Sequence, residues 1–277
     1  MAVVVRADLG SQGSVIQPCT STPSASGTVQ QDRTLRCRNE LKYLISPSQA
    51  AAVESFIQPY MALDQYSRLQ PDGYYYIVSL YLDSPDLQLC RETLTAKLNR
   101  FKLRIRGYTD DPDYPLFVEI KRRLNAVILK ARAKIRREDL GKVLAYRTVQ
   151  IPHDQEALDQ FQLYMASLGA RPMILVRYLR KAYEARSENR LRVTLDKQLS
   201  FKVTDQPTVH LSGPGWYDSY LTMNALILEI KFTGLFPSWL TDMVRAIDLH
   251  SQGISKYATC VLQSGQMGYA GLVNKGW

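Results

Sequence analysis

Histidine and cysteine are both scarce in this chain. Three histidines (His153, His210 and His250) and four cysteines (Cys19, Cys37, Cys90 and Cys260) are spread over 277 residues. No two cysteines form a C-x-x-C pair, so the spacing fits neither a zinc site nor the disulfide framework of a small secreted domain. A reducing cytoplasm is the expected compartment. None of the histidines has a convincing acid–base setting, and all three are expected at the surface. Long apolar runs are missing too. None approaches the roughly 20 residues that span a bilayer, and the apolar stretch in "MAVVVRADLG" is too short for a signal peptide. No G-x-G-x-x-G, P-loop or internal repeat occurs, which excludes those nucleotide-binding and repeat architectures. Acidic residues are also in short supply, 26 against 35 Lys and Arg, a formal net charge of +9. That excess points to an anionic partner: nucleic acid, a phosphate compound or an acidic membrane surface.

What is present is enough for a sizeable core. Apolar residues make up 45% of the chain, which supports one large domain or two small ones. Residues 1–33, rich in Ser, Thr, Gly, Pro and Gln, read as a disordered tail. The folded domain is expected over 34–265, with a short tail at 266–277. Strands are expected in "TLRCRNELKYLI", "YYYIVSLYLD", "RFKLRIRGY", "LFVEIKRR", "AVILKARAKIRR", "PMILVRYLRKAYEA", "RLRVTLDKQLSFK" and "ALILEIKFTG". Helices are expected over 47–60, after Ser46 and Pro47, in "SPDLQLCRETLTAKL", over 154–168, and in "PSWLTDMVRAIDLH" and "SKYATCVLQSG". The three consecutive strands between residues 100 and 137 imply an antiparallel meander.

The charges recur within these strands at every second position. Lys130, Arg132, Lys134 and Arg136 share one face; so do Arg104 and Arg106, Glu119 and Lys121, Arg190 and Arg192, and Glu229 and Lys231. The residues between them, such as Leu103, Ile105, Val118, Ile120, Leu191, Val193, Leu228 and Ile230, are apolar and suit packing under helices. An antiparallel sheet can carry a solvated outer face. Five charged strands together favour a sheet curled into a closed barrel, and about eight strands suffice to enclose one small ligand. Such an interior repels itself when empty. A thin, densely anionic ligand such as a phosphate chain would supply the missing counter-charge, with Arg as the bidentate phosphate donor.

The motifs "RNELKYLI", "KLRIRGY", "VEIKRR", "ILKAR", "VRYLRKAYE", "RLRVTLD", "LEIKF" and "SKYATCV", in this order, resemble the VTC domain, the polyphosphate polymerase domain of the vacuolar transporter chaperone family. That domain belongs to the triphosphate tunnel metalloenzymes. The resemblance covers about 35–265 and implies an α+β fold with a closed eight-stranded antiparallel tunnel ringed by helices. It implies that Lys42, Arg104, Arg106, Lys121, Lys130, Arg180 and Arg192 hold phosphates, with Lys231 beside them, Tyr178 near the bound chain and Lys256 near a mouth. Lys42, Arg104, Arg106, Arg180 and Arg192 are the expected catalytic group. Glu229 matches the family's metal-binding carboxylate, with Glu119 as a second candidate for Mn²⁺ or Mg²⁺. The membrane segments and regulatory domain fused to better-known members are not expected in these 277 residues. A basic residue that often precedes the "SKY" lysine is missing from "HSQGI", unless His250 supplies that contact.

The implied activity is transfer of the γ-phosphate of ATP to a growing polyphosphate, in the cytoplasm and without a transmembrane segment. Phosphoryl transfer needs mainly positioning and charge stabilisation, and an anionic acceptor oxygen requires no general base, which suits a chain poor in histidine. A triphosphatase of the same fold is disfavoured. Where E-x-E-x-K would stand on the first strand, this chain has Arg38, Asn39, Glu40, Leu41 and Lys42, so an arginine replaces the first glutamate. A non-catalytic binder of polyphosphate, inositol phosphates or nucleotides is the alternative. Nucleic-acid binding, suggested by a pI near 9.3, would need an open basic face and is not expected.

Overall fold

The structure, a computed structural model, describes residues 38–124, 127–186 and 191–268. The expected tail over 1–33, most of 266–277, Cys19, Cys37 and Arg190 lie outside the described residues.

Ten strands and six α-helices follow in the order β1 (Arg38–Ile45), α1 (Pro47–Ile57), β2 (Met61–Leu63), β3 (Tyr75–Asp83), α2 (Gln88–Leu94), β4 (Asn99–Gly107), β5 (Leu116–Leu124), β6 (Val127–Ile135), α3 (Leu140–Leu144), α4 (Gln155–Leu168), β7 (Arg171–Ala185), β8 (Arg192–Val203), β9 (Tyr217–Asp218), β10 (Leu226–Thr233), α5 (Ser238–Ala246) and α6 (Lys256–Gln266). Helix α1 begins where expected. The Ser46 hydroxyl accepts from Gln49 N, and the Gln49 side chain accepts from Ser46 N, a reciprocal cap. Helix α2 begins later than expected, because Leu87 takes a left-handed conformation (φ 58°) and the turn ahead of it wraps around the Asp83 carboxylate. The short β2, β9 and α3 were not anticipated.

All ladders are antiparallel, and the main sheet runs β1-β10-β8-β7-β3-β4-β5-β6, with β2 on β7 and β9 on β8. The meander β4-β5-β6 is as expected. The closed eight-stranded barrel is not: β1 and β6 end the sheet, and no ladder joins them among the described residues. Strong curl brings these edges close all the same, with Cα atoms of β1 and β6 within 8 Å. Side chains cross the seam, since Lys121 Nζ of β5 lies 2.6 Å from Glu40 Oε2 of β1.

The two faces differ as the alternation requires. On the convex face, Leu80, Leu103, Ile105, Val118, Ile120 and Ala133 pack with Phe161 and Met165 of α4. Tyr43, Val193, Leu195, Leu228 and Ile230 pack with Val53 of α1 and Leu240 of α5. On the concave face, helix α6 lies against the middle of the sheet. There Tyr257, Cys260 and Val261 meet Ile77, Tyr81, Ile174, Val176 and Phe201. A bulge in β8 at Gln198 (φ 53°) makes this possible, because the register shift returns Leu199 and Phe201 to that face. Among the described residues, no helix is long and apolar enough to cross a membrane.

Asp83 fixes α6 in place. Its buried carboxylate accepts from Ser84 N (2.7 Å), Leu89 N (2.9 Å), Cys90 N (2.9 Å) and Tyr257 OH (2.5 Å), joining β3, α2 and α6. Replacement by alanine orphans buried donors. Asp83→Ala should therefore destabilise the fold by about 3 kcal/mol, read as a lower urea midpoint at unchanged slope.

Candidate functional site

The part of the concave face not covered by α6 is charged, and the ladder register sorts the charges into rows. Arg104, Glu119 and Arg132 stand directly opposite one another on β4, β5 and β6. The next row is Lys102, Lys121 and Lys130. Like charges placed opposite in a ladder repel, so a row of three lysines needs counter-charge from elsewhere.

Much of that counter-charge is internal. Glu119 is fully buried and lies 2.7 Å from Arg104 Nε, 2.8 Å from Lys130 Nζ, 3.4 Å from Arg132 Nε and 3.8 Å from Arg106 Nε. Burial alone would raise its pKa, but Arg104, Arg106 and Lys130 hold the carboxyl well below the usual range. Glu40 takes Lys121 at 2.6 Å and Lys42 at 3.5 Å. Asp196 receives a two-pronged contact from Arg180, 2.6 and 2.7 Å. Lys256, at the start of α6, lies 2.6 Å from Asp196 and 2.9 Å from Glu229. Glu229 also has Lys231 at 2.6 Å, Arg180 at 3.5 Å and Lys42 at 3.7 Å. Burial opposes its charge, yet Lys231, Lys256, Lys42 and Arg180 keep the Glu229 carboxyl far below normal. The compensation is partial, because these four carboxylates are outnumbered by the cations around them.

Two cations are left over. Lys102 has no carboxylate within ion-pair distance among the described residues; its ammonium donates to the Ser255 hydroxyl at 2.8 Å, at the cap of α6. Burial, then Lys42, Lys121 and Arg104, push its pKa far down. Arg106 is buried, and among the described residues its polar contacts are the 3.8 Å approach to Glu119 and a 3.5 Å contact to the Ser79 hydroxyl.

Of the expected phosphate ligands, Lys42, Arg104, Arg106, Lys121, Lys130, Arg180, Lys231 and Lys256 meet on this face with Glu119 and Glu229. Tyr178 is buried beneath two of them, with Arg180 5.3 Å and Lys256 4.9 Å from its ring centroid. Arg192 stands apart. Although opposite Lys231 in the register, its guanidinium is held by Asp64 at 2.7 Å and Glu184 at 2.8 Å. His250 is exposed beside Asp248 and does not reach the site. Lys134 is exposed, and Arg136 turns to Glu138 and Asp139 beyond the strand. Sequence reasoning missed Lys102 and Asp196 as site residues, although both keep the two-residue period with Arg104 and Arg192.

No group of three or more His, Cys, Asp or Glu suited to a metal occurs among the described residues. Glu119 and Glu229 do not face each other as a pair, each being ringed by cations. A magnesium-like ion can nevertheless bind through a single carboxylate when phosphate oxygens supply the other ligands. Glu229 is a single buried carboxylate of this kind, with Lys231 at 2.6 Å and Lys42 at 3.7 Å.

The sequence profile described as the VTC domain matches residues 37–264, and the chain belongs to the VTC domain family. No curated protein matches. Solved structures with a similar fold include a protein of Bacillus halodurans, at 12% identity and TM-score 0.47, over 80% of this chain and 94% of that one. Another, from Vibrio parahaemolyticus, has 13% identity and TM-score 0.41, over 80% and 96%. Both are provisionally named adenylate cyclases. A protein of Pyrococcus horikoshii OT3 has 14% identity and TM-score 0.41, over 82% and 99%. Similarities this remote say nothing of activity.

The lysine row carries a pH dependence. Burial pushes Lys121 and Lys130 down to about 8, against the pull of Glu40 and Glu119 respectively. Their unfolded values lie near ~10.4, so across that window the unfolded chain binds more protons and the ligand-free fold gains stability as pH rises. Affinity for a polyanion should move the other way. Calorimetric titration with tripolyphosphate should show binding weakening as pH rises through 8, with protons taken up on binding.

Proposed function

We propose that the basic concave face is a phosphate-chain channel and that the protein is an ATP-dependent polyphosphate polymerase. The observation that carries this reading is the Lys102–Lys121–Lys130 row, with Lys102 lacking a carboxylate partner among the described residues and Arg106, further along the same strand, weakly paired. Holding a half-buried ammonium without an anionic partner is costly, and a phosphate would supply that partner. Membership of the VTC domain family supports the same reading. The curled sheet would act as a tunnel whose seam is closed by side chains such as Lys121 and Glu40 rather than by a ladder.

Arg104 and Arg106 would grip the reacting phosphates, with Lys42, Lys102, Lys121 and Lys130 along the chain and Arg180, Lys231 and Lys256 on the opposite wall. A terminal oxygen of the polyphosphate attacks the γ-phosphorus, the bond to the β,γ-bridging oxygen breaks, and ADP leaves with that electron pair. The acceptor oxygen is already anionic, so no side chain need take a proton. A divalent cation held by Glu229 would neutralise charge on the phosphate oxygens when bound. Arg192 would act from the edge of the site, and Tyr178 would buttress Arg180 and Lys256 beneath the chain.

Incubation of the protein with ATP and Mn²⁺ or Mg²⁺, followed by a polyphosphate-stained gel, tests the assignment; ATP binding without polymer would leave only a binding protein. Arg106→Ala should remove charge-assisted bonds worth roughly 1.5–3 kcal/mol each. Synthesis should fall at least about tenfold per bond lost with the melting temperature nearly unchanged. Lys102→Met should lower polymer synthesis while raising the stability of the ligand-free fold, since it removes a half-buried cation that has no carboxylate partner among the described residues. A destabilised Lys102→Met would mean that the ammonium serves the fold instead.

A further inference from the structure

An aromatic cluster adjoins the arginine end of this face. Along β4 the inward positions run Lys102, Arg104, Arg106 and then Tyr108, just past the strand. Phe117 of β5 is opposite Arg106 in the register. The rings of Tyr108 and Phe117 meet edge to face at 5.8 Å, and Arg132 lies over Phe117 at 3.7 Å while donating to Tyr108 OH at 3.3 Å. Tyr66 lies nearly parallel to Tyr108, at 9° and 6.4 Å between centroids, and 5.9 Å from Tyr75.

Tyr66 differs from the rest in being 47% exposed. Its backbone is nonetheless firmly held. Ser67 N donates to Asp64 Oδ1 at 2.7 Å, and Ala182 N of β7 donates to the Ser67 hydroxyl at 2.9 Å. The same Asp64 holds Arg192 at 2.7 Å. An exposed ring on a fixed backbone serves no core when it lies parallel to Tyr108, which accepts from Arg132, and beside Tyr75, whose hydroxyl Arg192 reaches at 3.5 Å. Rings of this kind beside cations are what stacking platforms for bases use.

We infer that Tyr66 and Tyr108 form a stacking site for the base of a nucleoside triphosphate, whose phosphates run inward over Arg106 and Arg104. The inference rests on the phosphate-channel reading and adds the end at which the nucleotide sits, with the polymer occupying the lysine end by α6. Stacking tolerates any base and favours the larger purine face, so the site selects nucleotides over bare phosphate chains without reading base edges.

The test compares ATP with inorganic tripolyphosphate by calorimetry in EDTA, where transfer is not expected. Tyr66→Ala should weaken ATP binding about tenfold and leave tripolyphosphate within about twofold, whereas Tyr66→Phe, which keeps the ring, should bind ATP like the native protein. Unchanged ATP binding in Tyr66→Ala overturns the inference, as does an equal loss for both ligands. A Tyr66→Phe variant as weak as Tyr66→Ala would overturn it as well, by assigning the effect to the hydroxyl. Should the native protein bind neither ligand, the channel reading falls too.

Discussion

Four acidic side chains, Glu40, Glu119, Asp196 and Glu229, decide whether a face lined by Lys42, Lys102, Arg104, Arg106, Lys121, Lys130, Arg132, Arg180, Lys231 and Lys256 can exist without a ligand. Each carboxylate lies within ion-pair distance of two or more cations, so its single charge is shared among them. Buried ion pairs of this kind contribute little net stability, but losing one partner strands the other at a cost of about 3–5 kcal/mol. The ten cations exceed the four carboxylates, and Lys102 and Arg106 are the least directly paired of them. On the proposed reading, those are the positions where an incoming phosphate would gain most and displace least.

That balance shapes the rest of the molecule. The convex face must supply the stability that the concave face does not, and it does so through two apolar clusters beneath α3 and α4 and beneath α1 and α5. Helix α6 has two tasks. Its apolar residues fill the middle of the concave face, and its first residue, Lys256, bridges Asp196 and Glu229. The Asp83–Tyr257 bond, one residue further on, ties the position of Lys256 to the folded core.

The alternation of charge and apolar residues made most strands and both faces legible. It placed Arg104, Arg106, Lys121, Lys130 and Glu229 on inward faces because a period of two is fixed by strand geometry alone, and the family resemblance added Arg180. Register is a different matter. That Lys102, Lys121 and Lys130 form one row, and Arg104, Glu119 and Arg132 the next, depends on turn lengths and cross-strand packing. The isolation of Arg192 arises from Asp64, in a turn after the three-residue β2, an element too short to leave a periodic signal. The inward seat of α6 and the bulge at Gln198 have no signature in local pattern either. Closure of the sheet was overestimated because charge patterning reports which face is inside but not whether backbone ladders meet around it.

The central claim is that the uncompensated cations form an enclosed seat for a thin chain of phosphates. Thermal unfolding with tripolyphosphate, with sodium chloride at matched ionic strength and with single-stranded DNA tests it most directly. Ligand at about 100 times its dissociation constant adds roughly 2.7 kcal/mol, or about 5–10 °C for a domain of this size. The account predicts a rise of that order with tripolyphosphate and little with chloride or DNA. Equal stabilisation by DNA, or by chloride alone, would place the cations on an open surface and contradict it.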